Sequence, residues 1–338
     1  MILRLVEVIV GREQAERLRE VVAEGSCSCL DQWTQDLTGG LCLVRLLVSA
    51  DSTEQLMDRL EQEFSSTQGF RIVLLPVEAS LPRPEPAEET QQEMPSAQQG
   101  EAAPARVSRE ELYADVTESL QVNWTYLALV VLSTIVAAVG LVRGSVAVII
   151  GAMVIAPLLQ PNVALALATT LADGELARRA LRVAAAGFAL ALAIALVAGL
   201  ILDLDPTAPE IASRTRVSLG DIVLALAAGG AGALSFTLGL SAALVGVMVA
   251  VALLPPLVVV GMLLGAAQWG AAGRGALLLV ANVICINLAG VTAFLVQGVR
   301  PRSWWEADRA RRATRIAMLI WLGLLAALVA AVLVAPQP

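Results

Sequence analysis

The sequence predicts a polytopic α-helical membrane protein that follows a small soluble α+β domain. Of the 338 residues, 57% are hydrophobic and 16% are charged, whereas an ordinary soluble domain is about 45–50% apolar and about 25% charged. Residues 1–122 contain 22 acidic residues and 10 arginines, while residues 123–338 contain 8 and 13. Long apolar stretches occur only in the second of these parts. We therefore expect the two parts to occupy different solvents.

The composition excludes several classes of enzyme, because the chain has no histidine and no lysine. Catalytic triads, zinc sites with histidine ligands, Schiff-base lysines and phosphate-loop lysines all need one of these residues. The acidic first part would also repel the phosphates of a nucleic acid. We expect neither an enzyme nor a nucleic-acid-binding protein, and we expect no cofactor.

Residues 1–78 follow the order βαββαβ. Apolar patterning predicts strands over 2–10, 26–35, 41–49 and 70–77, with a Gly-Gly turn between the second and third. Two predicted helices each present one apolar face, formed by Ala15, Leu18, Val21 and Val22 and by Leu56, Met57, Leu60 and Phe64, the second with an N-cap within Asp51–Glu54. This is the ferredoxin-like arrangement. Since that fold serves ligand-binding, assembly and spacer modules alike, it does not specify a function.

The four cysteines do not resemble a disulfide framework, and no cleavable signal peptide is predicted, which favours a reducing cytoplasm for the N-terminal domain. Three of them, Cys27, Cys29 and Cys42, suggest a thiolate metal site. The predicted hairpin places Cys42 near the turn and the other two farther along the partner strand. We therefore expect no metal site.

Residues 79–106 are rich in Pro, Glu, Gln and Ala and predict a disordered linker. An amphipathic juxtamembrane helix follows over 107–122, with a capping box at Ser108 and Glu111. This helix either lies on the membrane surface or packs on a neighbouring subunit, and its mixed charges favour protein packing.

Seven hydrophobic stretches are long enough to cross a membrane, which takes about 20 residues. Pro157 and Pro161 interrupt the second, and Pro255 and Pro256 interrupt the fifth. Arginines of the connecting loops predict an inner-membrane protein with a cytoplasmic N-terminus, since nine lie on that side and four on the other. The stretches cover 124–142, 145–171, 177–202, 219–238, 240–266, 272–298 and 315–335.

The interrupted stretches form an internal repeat. Residues 144–161 match residues 239–256 at eight of 18 positions, including Gly151 with Gly246 and Pro161 with Pro256. The repeat divides the membrane part into 123–203 and 218–299, followed by a basic loop and a C-terminal helix over 300–338. Because each unit holds three spans, the second copy enters from the opposite side, giving a 3+3 inverted repeat with broken helices.

Inverted repeats with broken helices indicate a binding site at the middle of the membrane in secondary transporters. The alternative is that the prolines only kink packed helices. No acidic or basic residue falls at the middle of a span, which disfavours a proton relay and leaves a neutral solute, or an ion bound by backbone and amide groups. The candidate substrate-binding residues are Gln160, Asn162, Pro157, Pro161, Pro255, Pro256, Gly151, Gly246, Asn282 and Asn287.

Two segments carry a resemblance to a known family. VSREELYADV over 107–116 and LALVVLSTIVAAVGLVRGSVAVIIGAMVIAPLLQPNVALALATTLADG over 127–174 resemble the bacterial and archaeal membrane proteins catalogued as domain of unknown function 389. The resemblance covers about residues 107–300 and implies a multi-pass membrane protein. It supplies no substrate and no site residues.

Two functional hypotheses remain from the sequence. The first is a transporter or channel-like protein for a small solute or ion, with its site at the paired broken helices and a regulatory or assembly role for the cytoplasmic domain. The second is a non-transporting sensor or scaffold whose N-terminal domain binds a ligand or partner. In both, the chain is embedded in the lipid bilayer as a homo-oligomer.

Overall fold

The structure is a computed structural model, and it describes residues 3–23, 29–67, 69–77, 107–238, 242–299, 318–319, 321–327 and 330. Side chains of residues 51 and 239–252 lie outside the description, as do the predicted linker and most of the predicted seventh span. The chain divides into two compact units, Met1–Leu112 and Tyr113–Pro338.

The first unit is a four-stranded antiparallel sheet with two helices. The predicted element order is confirmed, and the strand order β2-β3-β1-β4 is that of the split βαβ arrangement. Positive φ angles at Gly39 and Gly40, 81° and 76°, form the predicted turn between β2 and β3. The elements are β1 Leu3–Gly11, α1 Ala15–Ala23, β2 Cys29–Asp36, β3 Leu41–Ser49, α2 Ala50–Phe64 and β4 Arg71–Val77.

The core of this unit lies between one face of the sheet and the two helices. Alternate residues of β1 and β3 are buried, as period-2 patterning requires. The predicted core residues of α1 and most of those of α2 pack against them, while Met57 is half-buried. The predicted N-cap of α2 is wrong, because β3 passes directly into the helix, the N-cap residue is Ser49, and its side chain accepts no hydrogen bond from a backbone N–H of the first turn.

The helix α3, Arg109–Ser119, begins with ion pairs inside the first unit. The Arg109 guanidinium is largely buried and donates to Asp58 at 2.7 Å. Arg4 donates twice to the Glu111 carboxylate, at 2.9 and 3.0 Å. Ser108 caps the helix by accepting from the Glu111 N–H, as the sequence predicts. The boundary between the two units falls within this helix, after Leu112.

The second unit is a bundle of apolar helices. Their bounds follow the predicted spans closely, although α5 and α6 are separate helices bent by 55° at the break between them. The helices are α4 Trp124–Val142, α5 Val146–Ile155, α6 Leu159–Leu171, α7 Gly174–Ile201, the short α8 Pro209–Ala212, α9 Leu219–Thr237, α10 Ala242–Gly265 and α11 Trp269–Val296.

The number of confirmed spans is smaller than the seven predicted. Within the described residues, α4, α7, α9 and α11 are long and apolar enough to cross a membrane, and the bent pair α5–α6 adds a fifth if it counts as one span. The described side chains of α10 support only the shorter apolar helix Leu253–Gly265. The chain is thus a membrane protein with at least four apolar helices of spanning length.

Many large apolar side chains point outward from the bundle, and small residues form several of its closest helix contacts. A Cβ added to Gly199 on α7 would lie 2.0 Å from the carbonyl oxygen of Met262 on α10. On α9, a Cβ at Gly229 would lie 2.6 Å from the backbone of Ile286 on α11. Close contact at small residues is typical of helices packed in lipid. Outward-facing apolar residues include Leu132, Val197, Leu200, Val223 and Val296.

Candidate functional site

The break between α5 and α6 is built by Pro157. Proline disfavours helical geometry in the residue before it, and Ala156 is extended, with φ −71° and ψ 122°. The α5 helix therefore ends at Ile155, and its last carbonyls lack helical partners. The α6 helix starts at Leu159, four residues later, without any side-chain cap. Carbonyl groups at the end of α5 and N–H groups at the start of α6, all without helical hydrogen bonds, therefore flank residues 156–158.

Pro161 occupies the first turn of α6, where a helix has no acceptor for its N–H groups. Its missing N–H therefore costs the helix nothing there, and its fixed φ favours the start. The side chain is buried. Pro157 ends one helix and Pro161 helps to begin the next, which is the predicted discontinuity.

Asn162 and Asn287 meet beside this break. The Asn287 amide Nδ2 donates to Oδ1 of Asn162 at 3.2 Å and to the carbonyl oxygen of Val283 at 2.9 Å. Asn162 Nδ2 donates to the carbonyl oxygen of Leu158 at 2.9 Å. Asn162 is 3% exposed and Asn287 is fully buried. Among the described residues, the Asn287 Oδ1 atom is buried without a hydrogen-bond partner.

The amide pair lies well inside its two helices. Asn162 is nine residues before the end of α6, and Asn287 is nine residues before the end of α11. Nine residues of helix rise about 14 Å, close to half of the hydrocarbon thickness of about 30 Å. Neither α6 nor α11 contains an acidic residue.

Hydroxyl side chains in the same helices bond their own backbone. Thr170 Oγ1 donates to the carbonyl oxygen of Ala166 at 2.9 Å, and Thr292 Oγ1 donates to that of Leu288 at 2.8 Å. Such bonds to the residue four positions earlier satisfy a hydroxyl locally. The two asparagines make the same bond and also reach across to another helix.

The other predicted residues of this region are placed less centrally. Gln160 and Gly151 are half-buried, and a Cβ at Gly151 would meet nothing within 4 Å. Asn282 is buried on α11, but five residues along a helix place it about 140° around the axis from Asn287. Asn282 therefore does not share the face that carries the amide pair.

The predicted second break is wrong. The α10 helix continues through Pro255 and Pro256, both of which are buried. Because proline has no N–H, the carbonyls of Val251 and Ala252 receive no bond from the residues four positions later. These two carbonyls therefore lack their helical hydrogen bonds although α10 is continuous. Gly246, which matches Gly151 in the repeat, also lies on α10, and its surroundings are outside the part that the structure describes.

Two comparisons with known proteins found a similarity to this chain. The family model for the domain of unknown function DUF389 matches residues 153–288. An uncharacterized protein of Methanocaldococcus jannaschii is 33% identical over 297 residues, which are 88% of this chain and 89% of that protein. The chain belongs to the DUF389 family. No solved structure matches it.

The segment matched by the DUF389 model includes the whole candidate site. It begins at Met153, in the last turns of α5, and ends at Leu288, directly after Asn287. The sequence alone identified both asparagines but not their contact, nor the acceptor carbonyls of Leu158 and Val283. Their positions four residues before each asparagine are the signal that predicts these acceptors.

Proposed function

We propose that this DUF389 protein is a membrane transporter or channel-like protein for a small solute or ion, and that the α5–α6 break and the Asn162–Asn287 pair contact the substrate. One observation carries the proposal: within the part of the chain that the structure describes, the fully buried amide oxygen of Asn287 has no hydrogen-bond partner inside an apolar helix bundle. A buried polar group without a partner costs about 1–3 kcal/mol. A ligand that meets this oxygen offsets the cost.

The broken helix supports the same proposal. Non-helical backbone at membrane depth is tolerated where it is covered by protein or lines a polar cavity. Helix interruptions of this kind form substrate and ion sites in secondary transporters. A helix bundle that serves only as an anchor or scaffold needs neither the interruption nor a buried amide pair, because leucine packs as well and leaves no polar atom unpaired.

We further propose that α4–α7 and α9–α11 are the two halves of an inverted repeat, with a seventh span near the C-terminus. The 95-residue offset between matching segments supports the repeat. The helical residues 321–327 support a last helix. The halves differ at the prolines, because Pro161 follows a break and Pro256 lies inside a helix.

The arginines at the start of α7 support an inner-membrane location with a cytoplasmic N-terminus. Arg178, Arg179 and Arg182 follow the turn after α6, and positive residues favour the cytoplasmic side. Under this orientation Arg214 and Arg274 lie outside. Reporter fusions after Ala172 and after Ala208 test it, since they are expected to report opposite sides, and equal signals from both would contradict it.

We also propose that the protein is a homo-oligomer. The strand order leaves β2 and β4 as the edges of the sheet, and open edges pair readily with other strands. Native mass spectrometry in detergent measures the stoichiometry directly, and a monomer at all concentrations would contradict the proposal.

A flux measurement tests the transport function. The full-length protein is reconstituted into vesicles, and permeation of a panel of small neutral solutes and salts is followed by light scattering and ion-selective dyes. We expect flux of at least one class, lost in Asn162→Leu and Asn287→Leu and retained in Asn282→Leu, which removes a buried amide from another face of α11. Folded protein without flux of any tested class would contradict the proposal and favour the sensor or scaffold.

A further inference from the structure

The orientation of the Asn287 amide is determined by two acceptors. Its Nδ2 atom faces the carbonyl oxygen of Val283 at 2.9 Å and Oδ1 of Asn162 at 3.2 Å. Rotating the amide by 180° would place its oxygen against these two oxygens, which is repulsive. Both hydrogens of Nδ2 are therefore engaged, and the atom of this buried side chain without a partner among the described residues is an oxygen.

Further oxygens lie in the pair itself and on the neighbouring break. Oδ1 of Asn162 accepts from Asn287 and keeps a second lone pair. Pro161 has no N–H, so the carbonyl of Pro157 receives no helical bond from it. The last carbonyls of α5 are likewise without helical partners. Neutral oxygens are thus available both in the amide pair and at the end of α5.

The charge of this region selects among ligands. The sequences of α5, α6, α10 and α11 contain no aspartate or glutamate. Divalent cations are held mainly by carboxylates, whereas backbone carbonyls at broken helices coordinate Na⁺ in transporters. An anion would depend on the N–H groups at the uncapped start of α6, because the amide hydrogens of Asn287 are already used.

We infer that the Asn162–Asn287 pair, together with backbone carbonyls of the α5–α6 break, binds a monovalent alkali cation. This inference rests on the proposed function, since it names the ion that the same site would take. The Oδ1 atom of Asn287, which has no partner among the described residues, supplies one coordinating oxygen. The Oδ1 atom of Asn162 supplies a second coordinating oxygen. Neutral oxygens alone can stabilise the single positive charge of such a cation, without an acidic residue.

Cation binding is measured on the purified full-length protein in detergent. Equilibrium binding of ²²Na⁺ is combined with the thermal-unfolding midpoint in NaCl, KCl and N-methyl-D-glucamine chloride at constant ionic strength. We expect saturable binding and a higher midpoint in an alkali salt than in the organic cation. Asn287→Leu is expected to lose both effects, whereas Asn282→Leu retains them.

Asn287→Asp keeps the test decisive if the leucine variant does not fold. A carboxylate at residue 287 would face Oδ1 of Asn162 and the Val283 carbonyl, so that the variant needs a bridging cation. We expect its midpoint to depend more strongly on the alkali cation than that of the unsubstituted protein. An equal or smaller dependence would overturn the inference.

The inference and the transport function fail in different ways. Site-dependent Na⁺ or K⁺ binding without vesicle flux would support the cation site and contradict transport. Flux of a neutral solute that is independent of alkali cations, with no ²²Na⁺ binding, would support transport and overturn the cation site. Binding that persists in Asn287→Leu would place the cation elsewhere and would also overturn the inference.

Discussion

Asn287 on α11 donates to Asn162 on α6, and this bond joins residues 125 positions apart in the chain. The contact fixes the register of the two helices at the level of the α5–α6 break. One turn farther along, a Cβ at Gly290 would lie 2.9 Å from that of Ala166. The close approach at this glycine allows the two amides to reach each other.

The amide pair is expected to show coupling in a double-mutant cycle. Asn162→Leu leaves Asn287 Nδ2 with a single acceptor, and Asn287→Leu leaves Asn162 Oδ1 without its donor. Each substitution is expected to change stability by about 1–3 kcal/mol. The double substitution is expected to cost less than the sum, because no polar group then remains unpaired across the helices. Unfolding in mixed micelles measures all four proteins.

Additive effects would contradict this coupling. Ser133→Ala serves as the control, because Ser133 is buried on α4 and bonds only its own helix, at the Val130 carbonyl. Paired with Asn287→Leu, it is expected to be additive within about 0.5 kcal/mol.

Two neighbouring glycines on α9 are expected to respond oppositely to alanine. A Cβ at Gly229 would lie 2.6 Å from the Ile286 backbone, while a Cβ at Gly230 would meet nothing within 4 Å. Gly229→Ala must separate α9 from α11 and is expected to cost about 1–3 kcal/mol. Gly230→Ala is expected to be neutral or to stabilise by up to about 1 kcal/mol through helix propensity. Thermal unfolding in detergent distinguishes them, and equal midpoints would be inconsistent with this packing.

Asp173 is expected to stabilise α7 as its N-cap. Its Oδ1 atom accepts from the N–H groups of Glu175 and Leu176 at 2.9 and 3.0 Å, and its Oδ2 atom accepts from the Tyr113 hydroxyl at 2.9 Å. Asp173→Ala is expected to cost about 1 kcal/mol or slightly more. Asp173→Asn keeps a side-chain oxygen that can cap the helix, and it is expected to cost only a few tenths of a kcal/mol. The prediction fails if both substitutions lower the unfolding midpoint equally.

The Cys42 thiol is expected to react slowly. Burial in the core of the first unit, and secondarily the Asp36 carboxylate, raise the pKa of this thiol. The rate of alkylation by iodoacetamide, read by mass spectrometry, is expected to be lower at Cys42 than at the half-buried Cys29. Faster labelling of Cys42 in the folded protein would contradict its burial.

The same shift predicts a direction for the pH dependence of stability. A folded-state pKa above the unfolded value of about 8.5 favours the neutral thiol in the folded protein. The resulting stabilisation is present below pH about 8.5 and is lost as the pH rises through the folded pKa. Cys42→Ala is expected to remove this alkaline component, which unfolding of the first unit at pH 7 and pH 10 by circular dichroism would show. If Cys42→Ala loses as much stability between pH 7 and pH 10 as the unsubstituted protein, another group causes that loss.

Much of the architecture could be predicted because its signals are local. Alternating apolar residues determine the strands of the first unit, and the length of each apolar stretch determines α4, α7, α9 and α11. The predicted capping box at Ser108 and Glu111 identified the start of α3, where Ser108 accepts from the Glu111 N–H. The N-cap of α2 was predicted too late in the chain, because a strand that runs directly into a helix has no turn residues between them to mark the boundary.

By itself, the sequence determined which segments are strands or apolar helices and which polar residues lie deep within them. Only the tertiary structure decided which of those residues meet. Pro161 and Pro256 occupy matching positions of the repeat, yet one follows a break and the other lies within a continuous helix. The break is built by Pro157, whose matching position in the second copy is Ala252, so that Pro161 begins a new helix while Pro256 lies in a helix that continues. The partner of Asn162 on α11, by contrast, is specified by no local pattern, because the contact joins helices that are far apart in the chain.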